Sequence, residues 1–129
     1  RRLHLRPLSI KYIMKITKEM ESALDRVRAA MIVDYNRFMC ADPREAHVDE
    51  MREEFAAAII YEVGNKYIKI SKGGSVHSFI VNIENDKKFA YGDILKPASW
   101  NAPTRNFSRG SIFNESEVAT RICWTGVNY

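Results

Sequence analysis

The sequence predicts one α+β domain, a two-helix hairpin packed on a small, mostly antiparallel β-sheet. Three observations lead there. Apolar residues recur at helical spacing through the first third of the chain, and a strong helix start comes next at Asp42-Pro43-Arg44-Glu45. After Gly64 the apolar period shortens to two, and Gly and Pro begin to punctuate the chain. The chain has 129 residues, 46% of them hydrophobic, which suits one ordinary domain with a real core.

The first helix is predicted over 18–39. Thr17 is a good N-cap, and Glu19 and Glu21 suit the positive end of the helix dipole. Met20, Leu24, Val27, Met31, Tyr35 and Phe38 succeed one another in steps of three and four, one stripe on one face. The second helix is predicted over 44–61. Asp42 caps it, Pro43 fits its first position, and Glu45 completes a capping box. Val48, Met51, Phe55 and Ile59 carry its period, and Gly64 stands as its C′ residue. Its end is soft, since Ile59, Ile60, Tyr61 and Val63 also favour strands. The short link at 40–42 favours a hairpin of the two helices.

Tyr67, Lys69 and Ser71 alternate with Ile68 and Ile70, the pattern of a half-buried strand. Gly73-Gly74 supplies a turn, and 76–83 is a second strand with His77, Phe79, Val81 and Ile83 on one side. Short strands are expected at 89–91 and 94–96, a long ordered loop at 97–110, and edge strands at 112–113 and 121–125.

Charge is polarised along the chain. Residues 1–13 carry Arg1, Arg2, Arg6 and Lys11 with no acid, which equals the net +4 of the whole chain. Residues 42–63 sum to −5 and residues 64–113 to +5. The basic start differs in character from the rest of the chain, and Met14 opens a cleaner run, so 1–13 is expected to be an extension and 14–129 the domain. No apolar run reaches the roughly 20 residues that span a bilayer, so no membrane association is expected. Cys40 and Cys123 form no paired motif and are expected to be free, buried thiols. No two histidines share a metal-binding spacing, and neither a metal nor another cofactor is expected.

The motifs Lys66-Tyr67-Ile68-Lys69-Ile70, Gly74-Ser75-Val76-His77-Ser78-Phe79, Gly92-Asp93-Ile94-Leu95-Lys96-Pro97-Ala98-Ser99-Trp100-Asn101-Ala102-Pro103 and Asn106-Phe107-Ser108-Arg109-Gly110 occur in that order. Over about residues 64–114 this succession resembles small uncharacterised proteins of tailed bacteriophages. The resemblance implies a phage origin and a setting in the host cytoplasm. It implies no catalytic residue.

The segment 96–110 interleaves aromatic, basic and amide side chains, a composition suited to contact with bases and phosphates. Lys66, Lys69, Lys96, Trp100, Asn101, Arg105, Asn106 and Arg109 are the candidate binding residues. Trp100 and Phe107 are expected to be core plugs beneath this loop, with Lys96, Arg105 and Arg109 exposed around them. His77 is expected to be a hydrogen-bonded core histidine rather than a general base. Gly73-Gly74-Ser75 lacks the phosphate-cradle pattern and precedes a strand, so it reads as a hairpin turn. The acids Asp49, Glu50, Glu53 and Glu54 read as a solvated helix face. The expected function is that of a phage-encoded accessory protein that binds a host or phage macromolecule, foremost a protein, with a homo-oligomer also open. The alternative is a nucleic-acid binder using the 96–110 loop and the strand lysines Lys66, Lys69 and Lys72. A small enzyme acting on a nucleotide or metabolite is the third reading.

Overall fold

The computed structural model describes residues 16–39 and 45–127. The expectations for residues 1–13, Cys40 and the 40–42 link lie outside the described residues. Helix α1 (Lys18–Met39) has the predicted bounds. Thr17 caps it, its Oγ1 accepting from the Met20 N–H at 3.0 Å. Met20, Leu24, Val27, Met31 and Tyr35 are all buried. Phe38 ends the stripe differently. It is 60% exposed and leans on Trp124, one turn beyond Tyr35, which Met51, Phe55 and Trp124 enclose.

Helix α2 (Glu45–Ala58) stops three residues earlier than predicted and passes directly into strand β1 (Ile59–Val63). β1 pairs antiparallel with β2 (Tyr67–Lys72), from Ile59↔Lys72 to Val63↔Ile68. The β-branched residues that made the helix end ambiguous thus find a strand partner, and pairing overrides the helical period. Gly64 is accordingly a turn residue between β1 and β2, its N–H donating to the Tyr67 carbonyl at 2.9 Å. The α1–α2 hairpin is joined by Tyr35 stacked on Phe55 at 4.2 Å, and by Arg28 Nη2 donating to the Ala56 carbonyl at 2.7 Å. The Tyr61 hydroxyl donates to the Leu24 carbonyl at 2.5 Å and so fastens α1 to the sheet. Burial there holds the phenol well above its ordinary range.

Strand β3 (Ser75–Val81) comes after a two-residue turn in which Gly73 and Gly74 have φ of 52° and 88°. Two successive positive φ values match the right-handed twist of the strands, and glycine adopts them without steric cost. β3 pairs antiparallel with β2 and with β4 (Ile94–Leu95), giving the order β1-β2-β3-β4. The helices pack on one face of this sheet. Ile59, Tyr61, Ile68, Ile70, Ile80 and Ile94 meet the α1 stripe there, joined by Ile112, Val118 and Ile122. The outer face carries a second cluster of Phe79, Val81, Leu95 and Phe89.

Four expected strands do not form as predicted. Residues 89–91 are irregular, though Phe89 is buried, and β4 is shorter than 94–96. Gly92, at φ 91°, turns the chain beneath the Phe113 ring, which leaves no space for a Cβ. The 97–110 loop contains a small hairpin, β5 (Pro97–Ser99) and β6 (Ala102–Pro103). Residues 112–113 and 122–125 form no strand; α3 (Glu115–Arg121) lies between them, and isolated bridges join Asp93↔Ser111 and Ile122↔Val127. Asn114 caps α3, accepting from the Glu117 N–H at 3.1 Å, and Val118 turns inward onto α1. Among the described residues no helix is long and apolar enough to cross a membrane.

Candidate macromolecule-binding surface

The outer face of the sheet is where most of the candidate residues meet. On β2, alternation points Tyr67 and Lys69 outward, opposite Val81 and Phe79 of β3. The chain leaving β4 folds back over this face, with β5 and β6 lying against β3. The tip of that hairpin lies over Lys69. Lys69 Nζ donates to the Trp100 carbonyl at 3.1 Å and to Asn101 Oδ1 at 3.5 Å, and pairs with Glu62 Oε1 at 3.2 Å. The ammonium also sits 4.1 Å from the Trp100 ring centroid. Its three protons have three acceptors, and its side chain is only 11% exposed.

Trp100 itself is 49% exposed and Phe107 48%. Neither is the core plug expected of it. The outer-face core is already filled by Phe79, Val81, Phe89 and Leu95, so the rings lie above it. Arg109 departs in the opposite sense, being 4% exposed rather than solvated. Its guanidinium packs 4.1 Å from the Phe107 ring centroid, while its N–H donates to the Ile94 carbonyl at the edge of β4. Both exposed rings therefore have a cation held against them.

Arg105 is exposed, as expected, but engaged. Nη2 donates to Asp86 Oδ1 at 2.9 Å, Nη1 donates to the Tyr67 hydroxyl, and the guanidinium lies 4.9 Å from the Phe89 ring centroid. Asp86, its side chain 2% exposed, also accepts from the backbone N–H groups of Lys88 and Phe89 at 2.8 and 3.0 Å. The Arg105 hydrogen bond, then these two backbone donors, hold the carboxyl far below the usual carboxylate range. Sequence reasoning misses Asp86, which stands within a polar turn. Its signal is local, an Asp two and three residues before amides that need acceptors.

Of the remaining candidates, Lys66 is exposed, with Nζ 5.6 Å from the Tyr67 ring centroid, and Asn101 and Asn106 are exposed. Lys96 is half-buried rather than exposed. A groove of about 390 Å³ runs between the β1–β2 turn and the hairpin tip, lined in part by Glu62, Lys66, Tyr67, Lys69 and Asn101. Lys69, Trp100 and Asn101 thus form one cluster. Arg105 forms a second with Tyr67, Asp86 and Phe89, and Arg109 a third with Phe107.

His77 lies apart from this surface. The pairing shifts from Ile70↔Ser78 to Ser71↔Val76, so His77 is the additional residue of a bulge. Its ring is buried, with Nε2 2.7 Å from the Cys123 carbonyl and Nδ1 2.9 Å from Ser78 Oγ. A carbonyl only accepts, so Nε2 carries the proton and Nδ1 accepts from the Ser78 hydroxyl. Burial pushes the imidazole pKa down to about 4. With the ring 1% exposed and both nitrogens hydrogen-bonded, His77 is the core histidine expected of it. Cys123 is half-buried, not fully buried as expected. Among the described residues no group of three or more His, Cys, Asp or Glu could hold a metal ion. Comparison of the chain with protein-family models, curated proteins and solved structures finds no match in any of the three.

Proposed function

We propose that this chain is a small phage-encoded accessory protein that acts by binding a phage or host macromolecule through the outer face of its sheet. The observation that carries this reading is the placement of Trp100 and Phe107, two large rings held about half-exposed on an ordered segment. Large rings left at the surface lose the burial that would stabilise the fold, and they are the side chains on which binding energy concentrates. Their cations and the Arg105–Asp86 bond fix the segment before any partner arrives, which lowers the ordering cost of association.

The test is affinity capture from infected cells with the wild-type chain and with the double variant Trp100→Ala/Phe107→Ala. The wild type should retain a partner, protein or nucleic acid, that the folded double variant does not. Equal retention by the two would refute the surface.

A further inference from the structure

Building on that reading, we infer that the partner class is single-stranded nucleic acid, with Trp100 and Phe107 as two stacking platforms. The surroundings of the rings decide between classes. The core of a protein interface is depleted in charged residues, lysine among them. Trp100 instead has Ser99, Asn101 and Lys69 about it, and Phe107 has Asn106, Ser108 and Arg109. A half-exposed ring flanked by amides, hydroxyls and a cation suits a base, which offers a flat face to the ring and polar edges to its neighbours.

Charge points the same way. Residues 64–113 carry eight Lys and Arg against Glu84, Asp86 and Asp93. Glu62 pairs with Lys69 and Asp86 with Arg105, yet a cationic excess remains after both pairs are counted, with Lys66, Lys87 and Lys88 exposed. The paired cations have a different part. Lys69 lies on one face of the Trp100 indole and leaves the half-exposed ring for a base. The groove beside it is lined by Lys66, Lys69 and Asn101, and by Glu62, whose charge Lys69 offsets, so it offers a course for the phosphodiester backbone.

The experiment is fluorescence anisotropy with labelled oligothymidine and oligouridine across a salt series, together with tryptophan emission and a thermal melt of each variant. The wild type should bind and weaken steeply with salt. Trp100→Ala should bind roughly 5- to 140-fold more weakly, the equivalent of about 1–3 kcal/mol for one stacked base. Its melting temperature should stay within a few degrees of the wild type. Oligonucleotide should quench emission in the wild type but not in Trp100→Phe, which leaves only Trp124. Absence of binding at low salt overturns the inference, as does binding by Trp100→Ala and Phe107→Ala equal to that of the wild type, which would mark attraction by charge alone. A protein captured from cells without oligonucleotide binding overturns this partner class and leaves the binding surface standing.

Discussion

Acidification should destabilise this fold through His77, and the size of the effect can be worked from its surroundings. The ring is 1% exposed, and burial holds its pKa at about 4 against an ordinary 6.5, with Lys72 acting in the same direction. In the unfolded chain the imidazole takes up a proton near 6.5, whereas in the folded chain it resists until about 4. The unfolded state therefore binds more protons between these values, and stability falls as pH falls through that window. Above 6.5 the full stability is present, and below about 4 this residue contributes no further loss. A gap of this size corresponds to about 3 kcal/mol, of which about 2 kcal/mol is lost by pH ~5. The assay is urea denaturation from about pH 7 to about pH 4.5 on the wild type and on His77→Gln. The variant isolates this residue, because Asp25 and Asp93, whose pKa values burial raises, are present in both proteins. The wild type should lose about 2 kcal/mol more than the variant between about pH 7 and about pH 5. Parallel pH profiles for the two proteins, or a His77 proton resonance titrating near its ordinary 6.5, would refute a buried neutral imidazole.

Leu24→Ala should cost about 2–5 kcal/mol in a urea melt, since Leu24 is fully buried between α1 and the sheet, and a loss below about half a kcal/mol would contradict that placement. Gly92→Ala should destabilise by more than about 1 kcal/mol, because φ is positive and the new methyl meets the Phe113 ring, whereas Gly73→Ala, with open space around it, should be milder. Asp86→Ala should release the 86–89 turn from Arg105, so the Lys88 and Phe89 amides should lose hydrogen-exchange protection while those of β2 keep theirs.

The α+β class, the bounds of α1 and the β2–β3 hairpin were legible because each rests on a local signal. Thr17 caps, the α1 stripe repeats every three or four residues, and Gly73-Gly74 permits a turn that other residues resist. The end of α2 was not legible. Ile59 to Val63 fits either period, and only the presence of β2 alongside decided for a strand. Helix α3 has a signal, Asn114 three residues before Glu117 and ahead of Val118, but the segment is short and its β-favouring residues draw the reading to strands. Composition singled out the candidate residues but not their burial. Arg105 and Arg109 look alike in sequence, yet one lies at the surface bound to Asp86 and the other is enclosed beneath Phe107. Sequence by itself determined which side chains are available. Which groups Lys88 and Arg105 meet depends on residues 17 to 38 positions apart, and which aromatic ring fills the core depends on how the strands and the 97–110 segment stack, so only the tertiary structure decides either.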